Sequence, residues 1–412
     1  MNIDTVIVRP AQANEEEVVA HIRAISFGRD KDKTLAALRS DPRYDLSDIL
    51  VAEFGGKVVG TATVFPAKMW LSGVPVKVGA VAGVSVLPEF RRKGIGAKMM
   101  RFAILRAYSE RQAMSALFPF SHKYYNKFNY KTVGDLHAYR LHRTNILNSY
   151  NGSVQSEGQV RPFHPNDLRI MRVMYKGQMT WHNGWFTRTD AWWDKLIKSW
   201  SKIVVFDNDG MIEGYIAYDL RTNSKNESVF HIKEMFAPEG PAYQALAGYL
   251  ATQKEADVIE YLAPPHTLLR HSLHQPVAHD AQNRGWLFND LCHVTPGPMA
   301  RIIHVPEAFT ARFYTRGMSG ERVFKITDPL IPANEEPILF RLVDGRPETQ
   351  EANDAKIQVE TDIGTLTQVL CGYLKAREAN LLGRFKASED TCSWLDQIIA
   401  DSPLFIQGGD WF

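Results

Sequence analysis

Val84-Ser85-Val86-Leu87-Pro88-Glu89-Phe90-Arg91-Arg92-Lys93-Gly94-Ile95-Gly96-Ala97 is the stretch whose reading decides the fold of this 412-residue chain. Val81 to Val86 is a short apolar, β-branched run without helical period, which reads as a buried strand. Pro88 ends it, because proline supplies no ladder donor. From Ala97, the run AKMMRFAILRAYSE spaces apolar residues by three and four among good helix formers, and reads as a long helix. Between them sits Arg91-x-x-Gly94-x-Gly96, with Arg92 and Lys93 inside it. Small residues at a helix start let free backbone N–H groups approach an anion, and the helix dipole favours negative charge there. Three basic side chains add charge for a phosphate. The stretch reads as a pyrophosphate cradle. A basic turn before an ordinary helix is the plainer alternative, and the strand and helix on either side weigh against it.

Neither common nucleotide motif describes it, since GxxxxGK[ST] is absent and no GxGxxG opens a βαβ unit. The order V-x-V-x-P-x-x-R-x-x-G-x-G resembles the coenzyme A-binding motif of the GNAT N-acetyltransferases. That resemblance implies acetyl-CoA as cosubstrate and an oxyanion-stabilising backbone N–H on the strand Val84 to Val86. It also implies that this strand splays open to pair with the pantetheine arm.

The length suits two or three domains. A net charge of +2 implies no general polyanion-binding role, so no nucleic acid partner is expected and the basic residues matter locally. Cys292, Cys371 and Cys392 are scattered, with neither a disulfide framework nor metal spacing. The start MNIDTVIVRPAQANEEE is charged where a signal peptide is apolar, and no run approaches a membrane span. A cytoplasmic protein is expected.

Along the chain, residues 3–9 alternate as a first strand and Pro10 stops it. Asn14 and the acids after it precede a helix, VVAHIRAISF, and a second helix covers Lys33 to Arg39. DILVAEFGG and KVVGTATVFPAKMWL form a hairpin at Gly55-Gly56. Ala113 to Phe118 is a further strand. The order β-α-α-β-β-β-α-β-α-β is that of one GNAT domain. Residues 144–159 are polar and read as a linker. Then VRPFHPNDLRIMRVMYKGQ echoes VRPAQANEEEVVAHIRAIS, and KIVVFDNDGMIEGYIAYDL echoes DILVAEFGGKVVGTATVFP, which reads as an internal duplication. The second copy has Pro238-Glu239-Gly240-Pro241 where the cradle stood. Two prolines remove donors and Glu239 repels phosphate, so coenzyme binding is expected to be lost there. Its role is then structural, or to wall the substrate site. From about residue 300 a strand-rich α+β segment follows, closing on SPLFIQGGDWF.

Acetyl transfer needs an acid for the departing thiolate, and Tyr124-Tyr125-Asn126-Lys127-Phe128-Asn129-Tyr130 holds candidates. This run resembles the I-Y-G-R-F-G-Y segment of the enhanced intracellular survival (Eis)-like acetyltransferases, with Asn126 and Asn129 replacing glycines. The family pattern covers the whole chain and implies an α/β (α+β) fold: tandem GNAT acyltransferase folds followed by a sterol carrier protein-like domain. Residues 1–145 would be the active GNAT domain, 155–298 a degenerate one, and 299–412 the sterol carrier-like domain. The resemblance implies Tyr125 as general acid and the terminal carboxylate of Phe412 as general base, threaded back to the first domain. Gly408-Gly409 would make the tail pliable. By residue match the coenzyme contacts would be Val84, Ser85, Val86, Arg91, Arg92, Lys93, Gly94, Ile95, Gly96 and Ala97, completed by Phe120 and Ser121. The family further implies a large, acidic, two-armed acceptor cleft, a hexamer, and a small-molecule or peptide amine such as an aminoglycoside, polyamine or lysine side chain, with no metal.

His266, His271, His274 and His279 lie near three prolines without ligating cysteines or acids at metal spacing, so no zinc site is expected. Trp181, Trp185, Trp192 and Trp193 are either core or a wall of the acceptor site. The alternatives to an acetyltransferase are an acyltransferase for longer chains and a non-catalytic coenzyme A- or lipid-binding protein.

Overall fold

A computed structural model of the chain describes residues 3–147, 158–223, 226–281, 289–399 and 403–412. Most of the expected linker, 144–159, lies outside these described residues. The first sheet takes strands β1 (Ile7–Pro10), β2 (Ile49–Phe54), β3 (Lys57–Leu71), β4 (Val74–Val86), β5 (Met114–Leu117) and β6 (Lys131–Thr132). The second takes β7 (Asp135–His142), β8 (Gln159–Pro162), β9 (Lys202–Asn208), β10 (Met211–Thr222), β11 (Ser228–Phe236), β12 (Val258–Ala263) and β13 (Cys292–Pro296). Strand β14 (Met299–Ile302) then returns to the first. The spatial orders are β1-β2-β3-β4-β5-β14-β6 and β13-β7-β12-β11-β10-β9-β8.

Two strands therefore leave their expected sheet. Strand β7, read as the last strand of the first domain, pairs antiparallel with β12, from Val258↔His142 to Ala263↔His137. Strand β14 lies between β5 and β6 and pairs antiparallel with both. Each exchange gives a partner to strand edges that would otherwise expose unpaired N–H and C=O groups. It also ties the two sheets together. The first strand is shorter than its pattern suggested: Ile3–Thr5 forms a single helical turn and β1 begins at Ile7. Pro10 closes it at the sheet edge, where its missing N–H costs no ladder bond.

Helices α1 (Glu16–Phe27), α2 (Lys31–Ser40), α3 (Ile95–Ser109) and α4 (His122–Asn126) accompany the first sheet. Helices α5 (Leu168–Gln178), α6 (Asp190–Ser199) and α7 (Gly240–Thr252) accompany the second. The expected hairpins are present. Gly55 and Gly56 take φ of 57° and 74°, and Asp209 and Gly210 take 51° and 84°, the left-handed pairs that match strand twist in a two-residue turn.

The last sheet, β15 (Gly320–Thr327), β16 (Ile338–Val343), β17 (Arg346–Glu351), β18 (Val359–Asp362) and β19 (Phe385–Lys386), has the order β17-β16-β15-β18-β19. Phe309, Phe324 and Phe340 fill its interior, with ring centroids 4.8 to 6.4 Å apart. The core there is continuous with the underside of the first sheet through Val78, Met114, Ala300 and Ile302. No helix of the described residues is long and apolar enough to cross a membrane.

Candidate active site

The site begins where β4 and β5 part. They pair in parallel from Val78↔Met114 to Val81↔Leu117, and β4 continues alone to Val86. On its other edge β4 pairs with β3 in a shifted register, Thr63↔Ala82 followed by Thr61↔Ser85. Gly83 and Val84 are thus both opposed to Ala62, a β-bulge. Gly83 takes φ of +60°, a conformation that costs a side-chain-bearing residue strain. The bulge breaks the regular ladder where the strand borders the cleft.

Beyond β4, Pro88–Phe90 makes one turn and α3 starts at Ile95 with Gly94 as its N-cap. Arg92 and Gly94 are both left-handed, at φ of 60° and 84°. Such residues, alternating with ordinary ones, point successive N–H groups into one concavity, which is how backbone binds an anion. The cavity against this turn has about 760 Å³ and is lined by Val84 to Val86, Arg91, Arg92, and Gly94 to Ala97. Phe120 and Tyr124 close its far side.

The expected contacts do not all play the same part. Arg91 Nε donates to the Val86 carbonyl at 2.9 Å, so one of its donors braces the turn. Lys93 Nζ donates to the Glu89 carbonyl at 2.8 Å and lies outside the lining. Ile95 buries its side chain against Val59 and Met99 and offers only backbone. The Ser85 hydroxyl is turned to the Gly83 carbonyl, 3.1 Å away. Ser121 caps α4 by accepting from the Tyr124 N–H at 3.3 Å and is not part of the lining. Gly96 stands beside Tyr124: a Cβ there would come within 2.7 Å of the tyrosine hydroxyl.

Two further cavities lie beyond Val84 and Phe120. One, of about 650 Å³, is walled by α1, α2, Ala82 to Val84, Phe118, Phe120 and Tyr125. The other, of about 500 Å³, runs along Pro66 to Lys68, Phe186, Thr187 and Trp192. Arg43, Phe65 and Phe412 line both, so Phe412 stands at their junction. Phe27, Val84 and Phe120 are shared between the 650 Å³ cavity and the cavity against the Arg91–Gly94 turn. The family resemblance implied a large, acidic, two-armed cleft, and these two cavities adjoin at Phe412. The larger arm is not acidic: it carries Arg23, Arg29, Lys33, Arg43 and Lys195 against Asp30 and Asp41.

Tyr124 and Tyr125 sit on the two sides of this divide. The Tyr124 hydroxyl is buried with no hydrogen-bond partner, and burial pushes its pKa up to about 12. Tyr125 is 3 % exposed and faces the larger arm. Burial raises its pKa further, and Tyr124 and Tyr130 add to that. Both phenols therefore stay protonated near neutrality. Phe120 packs against both rings, at 5.3 and 5.2 Å.

The tail reaches this place by a defined route. Leu404 donates to the Val133 carbonyl at 2.9 Å and Phe405 to that of Asn183 at 3.0 Å. It runs so close to Gly134 that any side chain there would collide with the Leu404 backbone. Gly408 and Gly409 form a turn, Gly408–Asp410, rather than a pliable hinge; Gly408 presses on the Lys233 carbonyl. Asp410 accepts from Arg188 Nε at 2.8 Å, from Trp192 Nε1 at 2.9 Å and from the Tyr175 hydroxyl at 3.2 Å. Arg188 also holds Glu234 through two hydrogen bonds of 2.9 and 2.6 Å. Burial alone would lower the pKa of Arg188, but Asp410 and Glu234 outweigh it and hold it well above the ordinary arginine value. Arg43 donates to the Trp411 carbonyl at 2.9 Å, and the Phe412 ring packs on Phe65, Phe118 and Phe186.

Sequence reasoning missed Arg23, Gly83, Arg188 and Asp410. Arg23 had a legible signal, since it follows Val19 and Ile22 on the apolar face of α1. Of the tryptophans, Trp185 and Trp193 are core, Trp192 is also a cavity wall, and Trp181 is 78 % exposed. Cys292 lies in β13 of the second sheet and lines none of these three cavities. Among the described residues no group of three or more His, Cys, Asp or Glu could hold a metal ion.

Residues 7–133 and 184–302 each match a family described as acetyltransferase (GNAT) domain, and 305–407 match the sterol carrier protein domain. An uncharacterized N-acetyltransferase of Streptomyces griseus is 23 % identical over 353 residues, 80 % of each chain. The fold is similar to a GCN5-related N-acetyltransferase from Anabaena variabilis, with a TM-score of 0.86 and 18 % identity over 99 % of this chain and all of that one. It is also similar to Eis1 from Mycobacterium abscessus, with a TM-score of 0.77 and 18 % identity over 98 % of this chain and all of that one.

Proposed function

Because this chain belongs to the GNAT acetyltransferases, we propose that it moves the acetyl group of acetyl-CoA to a primary amine by direct attack in a ternary complex. The observation that carries this reading is the meeting of three cavities. The cradle cavity joins the larger arm across Phe27, Val84 and Phe120, and Tyr125 and the chain terminus Phe412 stand on that arm. The terminal carboxylate of Phe412 takes a proton from the acceptor ammonium. The freed amine attacks the thioester carbonyl, whose oxygen gains charge beside the bulged N–H groups at Val84. The carbon–sulfur bond breaks, Tyr125 protonates the thiolate, and the proton shed by the new amide nitrogen restores the phenol. A phenol held this high in pKa is a reluctant donor, so it acts only from close range. The enzyme is proposed to be cytoplasmic and hexameric, to need no metal, and to divide near residues 145–155 and 299; a solution mass of six chains checks the assembly.

Tyr124 is the second candidate for the acid, favoured by its buried, unpartnered hydroxyl on the coenzyme side. The lipid-binding alternative is weakened by the phenylalanines that fill the last domain. The test is thiol release from acetyl-CoA over a panel of amines. Tyr125→Phe should lower turnover roughly 10²-fold, as loss of a general acid does, with coenzyme affinity nearly unchanged. Full activity in that variant would transfer the role to Tyr124 or water. Tight coenzyme binding with no thiol release from any amine would favour the binding-protein reading.

A further inference from the structure

The larger acceptor arm is walled by more positive charge than its own carboxylates answer. Asp41 is engaged by Arg43 at 2.7 Å and by Lys195 at 3.7 Å. The Asp30 side chain caps α2 by accepting from the Lys33 backbone N–H at 2.9 Å. Its charge remains in the arm, which leaves Arg23, Arg29 and Lys33, three cations facing one carboxylate. Among the described residues, no carboxylate lies within 4.0 Å of any of the three. Nor, among the described residues, does any ion pair reach the terminal carboxylate of Phe412, so it does not consume this charge.

Arg23 is the decisive member. It is only 9 % exposed, donates from one terminal nitrogen to Thr63 Oγ1, and keeps a buried Nε with no partner. Its guanidinium lies against Gly83, where a Cβ would come within 3.0 Å of Cζ and Nε. Tyr44 and, from beyond ion-pair contact, Asp41 support its charge. A buried cation with no carboxylate in contact is still costly, and the other arginines show the usual remedy. Arg188 holds Glu234 and Asp410, and Arg301 holds Asp328. Arg312, also buried, is bonded to the Leu370 carbonyl and Ser72 away from this arm. Burial lowers the pKa of Arg23, so an arriving anion would be stabilised by it and would stabilise it in turn. Such a wall repels a polycation and attracts an anion.

We propose that the acceptor amine carries an anionic group, a carboxylate or a phosphate, held by Arg23, Arg29 and Lys33 while the amine faces the terminal carboxylate of Phe412. The arm then recognises both ends of a zwitterion. This rests on the acetyl-transfer reading and narrows its substrate class away from aminoglycosides and polyamines.

The experiment compares four primary amines of similar length: aminopentanoate, aminobutyl phosphate, pentylamine and diaminopentane. The kcat/KM of one or both anionic amines should exceed that of the other two by roughly tenfold or more, chiefly through KM, as a charge-assisted hydrogen bond would give. The anion with the larger ratio identifies the source. Arg23→Gln should collapse the ratio, and Arg29→Glu, an exposed change that spares the core, should do so independently. Diaminopentane as good as the anionic amines, or a ratio unchanged in both variants, overturns the proposal. Should no amine turn over, calorimetry of aminopentanoate and of aminobutyl phosphate with the coenzyme A-loaded protein decides. Binding weakened by Arg29→Glu upholds the anion site while acetyl transfer falls; no binding of either overturns the site as well.

Discussion

The two copies of the acetyltransferase fold open their sheets at the same place and fill the opening differently. In the first, Val78 to Val81 pair in parallel with Met114 to Leu117; in the second, Val229 to Ile232 pair with Val258 to Tyr261. Gly83 stands five places after Val78, and Glu234 stands five places after Val229. The glycine sits in a bulge beside open cavities. The glutamate is fully buried and grips Arg188, which grips Asp410 of the tail. The following loops differ too: residues 87–94 join β4 to α3, whereas 237–239 join β11 to α7. Three residues have no room for the left-handed alternation that turns backbone N–H groups inward. The same splay thus borders a basic turn with left-handed residues in one copy and the chain's own C-terminus in the other. The second domain, which grips the tail, also directs the chain's last residue toward the first.

The strongest way to break this comparison is Arg188→Gln. It strands two buried carboxylates, Glu234 and Asp410, and should destabilise the protein by roughly 3–5 kcal/mol in urea unfolding. A loss below about 1 kcal/mol would mean the tail is not gripped as described. Residues appended after Phe412 should spare the fold but reduce turnover roughly 10²-fold, because the terminal carboxylate is carried away from the junction of the arms. Unchanged turnover in such a protein would remove Phe412 from the chemistry. The smallest effect sharpens the contrast between loops: Arg92→Gln should raise the KM for acetyl-CoA about tenfold, the worth of one charged hydrogen bond. Its counterpart Glu239→Gln should leave that KM within about twofold, as for a surface change. Equal responses would mean that both copies bind coenzyme.

Much of the first site was legible because it is local. The strand, the cradle and α3 are contiguous, and each is specified by its own residues: β-branched Val81 to Val86, Pro88, Gly94 and the spaced apolar run after Ala97. The different connection of the second copy was readable for the same reason, from Pro238, Glu239 and Pro241. Side-chain direction at the expected contacts depended on packing. Ile95 turns inward to Val59 and Met99, and Ser121 is spent on capping α4. Periodicity cannot report such choices.

By itself, then, the sequence determined the duplicated α/β plan and the strand–turn–helix at Arg91 to Gly96, since short-range propensity and spacing carry that information. The candidates Tyr125 and Phe412 came from the family resemblance. Only the tertiary structure decided the exchange of β7 and β14, because which strand edge a segment satisfies depends on what else is near. It also decided that Gly408 and Gly409 serve close approach, and that Asp410 locks the tail through Arg188 and Glu234. And it decided the charge of the 650 Å³ cavity. Arg23 and Lys33 lie on neighbouring helices and their opposing acids are engaged elsewhere. A charge balance of that kind exists only once the chain has folded.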